Sequence, residues 1–252
     1  MKVIQSIILG IVQGLTEFLP VSSTGHIILF SRFLNLKEPP IFYDLTLHLG
    51  TLIAVFIFFY PFIIKNIKNI KLIFLILIST ITTGIFYIIF KEPLEALFSN
   101  FKYLPIFFLI TSFYLFFFYF KNRRYKTIKE MTLFDSIIIG LSQGFAIIPG
   151  ISRSGFTFIT SLLLGIKEED AFRYSFLLSI PSILGASVLK YFDYIKSGEF
   201  FSSNIFLSGF FMSLIFGIIA IIIFKSSIFK RNFRVYSIYL IIVAIIIMIW
   251  FW

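Results

Sequence analysis

The stretch Gln13-Gly-Leu-Thr-Glu17-Phe-Leu-Pro-Val-Ser22-Ser23-Thr24-Gly25-His26 returns in altered form 130 residues later, as Gln143-Gly-Phe-Ala-Ile-Ile-Pro-Gly-Ile-Ser152-Arg153-Ser154-Gly155. Around it, residues 6–53 align without a gap on residues 136–183, with fifteen of 48 positions identical. Matches among Ile, Leu and Phe are cheap in this composition. Those at Ser6, Gly10, Gln13, Gly14, Ser22, Gly25, Ser31, Lys37 and Glu38 are less so. Two homologous halves follow, 1–125 and 131–252.

The chain around these motifs is apolar. Of 252 residues, 59% are hydrophobic and 13% charged, against about 25% charged in soluble domains. Long apolar runs divided by short basic loops indicate an integral membrane protein built of helices. The 37 Phe residues are read as lipid-facing or helix-packing groups. The net charge of +10 does not argue for nucleic acid, because the basic residues sit where the positive-inside rule expects them. With no cysteine, disulfides, thiol nucleophiles and thiolate metal sites are excluded. The first apolar run leads into a polar motif rather than a small-residue cleavage site, so no cleavable signal peptide is expected.

Six runs, 42–62, 72–90, 103–120, 171–192, 205–224 and 235–252, approach the roughly 20 residues that a helix needs to cross a bilayer. The motif regions 3–34 and 133–166 differ. Each is two shorter apolar pieces broken by Pro, Gly and Ser, a pattern that suggests a re-entrant hairpin. Loop charge agrees. Lys and Arg number three in 61–71, five in 121–131 and four in 225–234, but two each in 91–102 and 190–204, where acidic residues cancel them. Rich and poor loops alternate correctly if 133–166 doubles back. Each half then has three full spans, so the second half enters the membrane inverted. The expected fold is an all-α polytopic membrane protein of two inverted-topology repeats, each a re-entrant hairpin plus three transmembrane helices. In such folds the broken helices meet near the midplane.

The polar groups of the two motifs carry the chemistry. Gln13 and Glu17 are four apart and share a helix face. An intramembrane carboxylate costs at least about 2.5 kcal/mol and is a functional candidate by default. His26 can be a general base, a nucleophile or a metal ligand. His48, the other His, is read as interior packing or a satisfied donor. Ser22, Ser23 and Thr24 crowd a turn after Pro20. Some of these hydroxyls cap a helix; together with Gly25 they also form an oxyanion cradle at a helix N-terminus. Arg153 lies at the tip of the second motif, where a guanidinium can bind a phosphate bidentately or pair with Glu17. Lys167, Glu168, Glu169, Asp170 and Arg173 read as a solvated loop, and Lys121 to Lys129 as an anchor at a headgroup surface. Asp44 could cap a span or approach the site.

With Gln13, Glu17, Pro20 to His26 and Pro149 to Gly155 in view, the chain resembles the undecaprenyl-diphosphate phosphatase family, also called the bacitracin-resistance protein family. The likeness covers essentially its whole length. It implies a bacterial plasma-membrane enzyme that hydrolyses a C55 polyprenyl diphosphate to the monophosphate and inorganic phosphate. That reaction recycles the lipid carrier for peptidoglycan. The site would be reached from the extracytoplasmic side, and Mg²⁺ or another divalent cation such as Ca²⁺ would be required. Gln13 stands where many members have Glu, which leaves one carboxylate fewer for a metal seat made of Gln13 and Glu17.

The expected catalytic set is Glu17, Ser23, His26 and Arg153. Gln13, Ser22, Thr24, Ser152 and Ser154 are expected to bind substrate. The nucleophile is His26, a serine activated by it, or water. If a serine attacks, Ser23 is favoured by its place three residues before His26. Glu17 could also orient His26. Expected partners are the polyprenyl diphosphate and membrane lipids, with a homodimer left open. The competing class is a prenyl-phosphate transporter or flippase, since inverted repeats with broken helices are also its hallmark.

Overall fold

The computed structural model describes residues 1–36, 41–118, 125–197, 203–229 and 232–251. The first half holds α1 (Val3–Phe18), α2 (Ser23–Phe33), α3 (Ile41–Asn66), α4 (Ile70–Ile89), α5 (Lys91–Ser99) and α6 (Leu104–Phe118). The second holds α7 (Leu133–Phe145), α8 (Arg153–Leu163), α9 (Glu168–Ser197), α10 (Ser203–Phe229) and α11 (Arg234–Phe251). There is no β-strand among the described residues.

Helices α3, α4, α9 and α10 are long and apolar enough to cross a membrane. Helices α6 and α11 are shorter, and α6 follows α5 at a sharp bend. Rows of exposed Ile, Leu and Phe, such as Ile73, Phe74, Leu77, Ile81, Ile85 and Ile88 on α4, suit contact with lipid chains. The protein is a polytopic helical membrane protein. The two motif regions fold as two-piece hairpins, α1 with α2 and α7 with α8, broken at Pro20 and at Pro149-Gly150.

Three segments depart from the sequence reading. Residues 91–102 are not a simple loop, for they contain α5 and a short 3₁₀ turn, Phe101–Tyr103. Glu168, Glu169, Asp170 and Arg173 form the first turns of α9, where Arg173 pairs with Glu169 at 2.6 Å and Asp170 at 3.3 Å. Acidic residues in a first turn face the positive end of the helix dipole. Lys126 is not a headgroup anchor: its Nζ lies 2.9 Å from both Asp135 oxygens. Residues 121–124 of that basic cluster lie outside the described residues, as do 119 and 120 of the 103–120 span.

Small residues set the closest helix contacts. On α1, Ser6, Gly10 and Gly14 form a stripe of period four against α10. A Cβ on Gly10 would lie 2.8 Å from the Gly209 carbonyl oxygen, and one on Gly14 would lie 2.8 Å from that of Ser213. Ser6 donates to the Ile205 carbonyl at 2.7 Å. On α7 the stripe Ser136, Gly140 and Gly144 packs on α4 in the same way. A Cβ on Gly140 would lie 2.5 Å from the Ser79 carbonyl oxygen, and Ser79 Oγ donates to the Ser136 carbonyl at 2.7 Å. Small residues let backbones approach where the solvent is lipid and no hydrophobic drive joins helices. Part of the Phe content forms an internal cluster rather than a lipid face: Phe18, Phe59, Phe172, Phe176 and Phe224 are all buried. The rings of Phe172 and Phe176 lie 4.5 Å apart, and those of Phe18 and Phe176 5.4 Å apart.

Gly140→Val should therefore destabilise the protein by about 1–3 kcal/mol through overpacking, seen as a lower melting temperature in detergent. Gly84→Ala, at a helical site where an added Cβ meets nothing within 4 Å, should leave the melting temperature unchanged or raised.

Candidate active site

The tips of the two hairpins interlock. Ser22 is the N-cap of α2 and accepts from the Gly25 N–H at 3.4 Å; Ser152 is the N-cap of α8 and accepts from the Gly155 N–H at 3.2 Å. Ser22 Oγ also accepts from the Gly150 N–H of the other hairpin at 3.1 Å. In return, Ser154 Oγ donates to the Leu19 carbonyl at 3.1 Å and lies 3.2 Å from Ser152 Oγ. Two residues at these tips have positive φ, Ser22 at 70° and Gly150 at 96°. At Gly150 a side chain would also meet Phe107 at 2.7 Å, so glycine is required there. Ser22 has a conformation uncommon for a non-glycine residue, held by the two N–H groups that its hydroxyl receives.

Glu17 sits between the tips, 6% exposed, with both oxygens engaged. Arg153 Nη2 donates to Oε1. Oε2 accepts from Ser23 Oγ at 2.5 Å and from Gln13 Nε2 at 3.0 Å. The sequence left open whether Arg153 pairs with Glu17 or awaits an anion; in this state the pair is formed. The helix α1 presents Gln13 and Glu17 one turn apart, as their spacing predicts. The N-termini of α2 and α8 converge on the same place and favour negative charge.

Beside this pair lies a cleft lined by Glu17, Phe18, Arg153, Ser154, Ser175, Phe176 and Ser179, with a cavity volume of about 10 Å³. That is room for about one water molecule. Thr24 is half-buried in the first turn of α2.

His26 is turned elsewhere. Its Nδ1 lies 2.8 Å from the Ser22 carbonyl oxygen and its Nε2 lies 2.8 Å from the Tyr239 hydroxyl. A carbonyl can only accept, so Nδ1 carries the proton and a neutral ring accepts the Tyr239 O–H at Nε2. The ring stacks on Tyr239 with centroids 5.6 Å apart and leans on Phe108. The expected contacts from Glu17 or Ser23 to His26 are replaced by these.

Thr111 and Ser175 escaped the sequence reading, while His48 and Asp44 fall among the alternatives it left open. His48 is not mere packing, because its Nδ1 lies 3.1 Å from Gln13 Nε2 and 3.9 Å from Glu17 Oε1. Asp44 Oδ1 stands 3.8 Å from His48 Nε2, so Asp44 does approach the site. Thr111, on α6, donates to the Gly150 carbonyl at 2.8 Å and accepts from the Ser152 N–H at 3.2 Å. Ser175 bonds Thr157 at 2.5 Å. Each lies in an apolar helix without a local motif. The four-residue spacing of Asp44 and His48, and of Ser175 and Ser179, was the one available sign.

Among the described residues, no three His, Cys, Asp or Glu side chains gather as a metal cage. The donor set near Glu17 is one carboxylate and the Gln13 amide. With the Gln13 NH2 turned to Glu17 and His48, that set offers few oxygens to a hard cation.

Fold and geometry define a class: a polytopic helical membrane protein whose two broken hairpins bring a carboxylate, a guanidinium and several hydroxyls into one buried cleft. The family model described as Bacitracin resistance protein BacA matches residues 6–246, and the chain belongs to that family. An undecaprenyl-diphosphatase of Thermosipho melanesiensis is 42% identical over 95% of this chain and 96% of its own. One of Thermotoga petrophila is 40% identical over 73% of this chain and 77% of its own, and one of Methanosphaera stadtmanae 35% identical over 99% and 98%.

Thr111→Val keeps the shape of the side chain but leaves the Ser152 N–H and the Gly150 carbonyl without this buried partner. A loss of about 1–3 kcal/mol is expected, read as a lower melting temperature at unchanged expression.

Proposed function

We infer that the protein is an integral membrane phosphatase that hydrolyses undecaprenyl diphosphate to undecaprenyl phosphate and inorganic phosphate. It thereby recycles the lipid carrier of cell-wall synthesis and confers bacitracin resistance. Family membership over nearly the whole chain supports the reaction. The observation that carries the chemistry is the short Ser23–Glu17 contact beside Arg153.

The diphosphate enters between the hairpin tips and draws Arg153 from Glu17 onto its phosphoryl oxygens, a bidentate pairing suited to a guanidinium. Ser152, Ser154, Ser22 and Thr24, at the N-termini of α8 and α2, complete the anion cradle. Glu17, relieved of Arg153, takes the Ser23 proton at Oε2. Ser23 Oγ then bonds to the terminal phosphorus as the bridging P–O bond breaks and undecaprenyl phosphate leaves. Glu17 passes that proton to the departing phosphate oxygen and then takes one from water, whose oxygen bonds to phosphorus as the Ser23–P bond breaks; Glu17 returns the proton to Ser23 Oγ and phosphate leaves. His26 holds the turn that presents Ser23, through Ser22 and Tyr239. Gln13 and Glu17 would neighbour a divalent cation, Mg²⁺ or Ca²⁺, whose chemistry is to neutralise charge on the diphosphate.

The finer architecture is part of the same proposal: two repeats, 1–125 and 131–252, of inverted topology. It is supported by equivalent packing at the 130-residue offset. Gly10 meets Gly209 as Gly140 meets Ser79, and Gly14 meets Phe216 as Gly144 meets Phe86. The basic loops then face the cytoplasm of a bacterial plasma membrane, and the site opens to the extracytoplasmic side. A lipid-phosphate translocator would need the anion cradle but not a serine bonded to a buried carboxylate.

The test is phosphate release from a long-chain prenyl diphosphate by purified protein, with Mg²⁺ and with chelator. Ser23→Ala and Arg153→Ala should each lower turnover by about 10³-fold or more, with the folded protein retained on gel filtration. Glu17→Gln should do the same. Turnover at the wild-type level in any of the three sinks that residue's role. No release by folded wild-type protein would favour the translocator.

A further inference from the structure

We propose that His48 is a positioning residue of the reaction: it orients Glu17 against Ser23 through Gln13. The inference rests on the assignment of Glu17 and Ser23 as base and nucleophile.

The geometry is a relay of fixed hydrogen bonds. The Gln13 amide nitrogen has two hydrogens. One goes to Glu17 Oε2 at 3.0 Å. The other goes to His48 Nδ1 at 3.1 Å. Because the amide donates in both directions, Nδ1 accepts, and the ring proton of a neutral His48 lies on Nε2. That nitrogen faces Asp44, with Oδ1 at 3.8 Å. Asp44 and His48 are one helical turn apart on α3, so Asp44 favours this tautomer.

The consequence falls on Glu17. Its Oε2 receives both Ser23 at 2.5 Å and Gln13. In the proposed reaction Arg153 leaves Oε1 for the substrate. Gln13 is then the hydrogen bond that keeps the carboxylate aimed at Ser23. Gln13 is 1% exposed, but its side chain has several torsions, and on α1 its amide nitrogen is held only by Glu17, the group it must itself orient. His48 fixes it from a different helix. A carboxylate at position 13 would have no N–H for either neighbour and would repel Glu17, so the amide and His48 belong together as a unit.

The side chain of Asn places its Oδ1 near where His places Nδ1, as an acceptor without a titrating group. The decisive experiment is therefore steady-state turnover of prenyl diphosphate by the full-length protein with His48→Leu and His48→Asn. Each is measured alone and with Gln13→Leu, beside Ser23→Ala. We expect His48→Leu to lower kcat by about 10- to 100-fold, the scale of a small misplacement of a reacting group, with KM within about twofold. His48→Asn should recover turnover to within about fivefold of wild type. In the Gln13→Leu background, His48→Leu should have no further effect. Two results overturn the proposal while leaving the site assignment intact: wild-type kcat in His48→Leu, or equal loss in Leu and Asn variants that remain folded on gel filtration. If Ser23→Ala turns over like wild type, the site assignment fails and this proposal with it. If His48→Leu does not fold, the Asn variant and its coupling to Gln13→Leu decide. Additive losses then overturn the proposal, and losses that do not add support it.

Discussion

The buried ion pair between Glu17 and Arg153 is the constraint on which the rest depends. A lone carboxylate or a lone guanidinium at this depth would be costly. Paired across the two hairpins, they neutralise each other and tie chain regions separated by 136 residues. The tie works only if both helix tips arrive at one place, and the remaining structure secures that. Ser22 bonds to the second hairpin through Gly150, Ser154 bonds to the first through Leu19, and Thr111 fastens the second tip to α6. A buried pair gives no assured stability, since desolvation offsets much of the attraction. Its value here lies in specificity: the pair is complete in one register of the hairpins.

Membrane burial explains why small residues carry so much of the packing. In lipid the helices gain little from hiding apolar side chains from one another. Close backbone approach and hydrogen bonds between helices supply the contact energy instead. The stripes Ser6-Gly10-Gly14 and Ser136-Gly140-Gly144 meet α10 and α4 in this way. Both helices carry the site residues of their hairpins, or lead into them. Positions far from the cleft thus decide where Gln13, Glu17 and Arg153 point.

Much of this was legible in the chain itself. The broken apolar runs, the repeat and the charges within them located the hairpins. The four-residue spacing put Gln13 and Glu17 on one face. The opposed Glu17 and Arg153 implied a pair or an anion site, and the motif residues carried the family resemblance that the comparisons bear out. Less was legible where a residue's meaning depends on another helix. His26, read within its own run of hydroxyls, was linked to Ser23 and Glu17, yet its ring turns to Tyr239 on α11. His48, read within its apolar span as packing or a satisfied donor, faces Gln13 of another helix, a partner the span could not name.

The difference has a simple physical basis. Local sequence determined the periodicity, the breaks at Pro and Gly, and the cost of a charge in an apolar setting, because these act over one or two turns of chain. The tertiary structure decided which oxygen of Glu17 meets which partner, which face of α3 looks inward, and which hydroxyl reaches His26. Those choices follow from how helices rotate and approach one another. The packing of residues far apart in sequence sets that, and no spacing along a single helix records it.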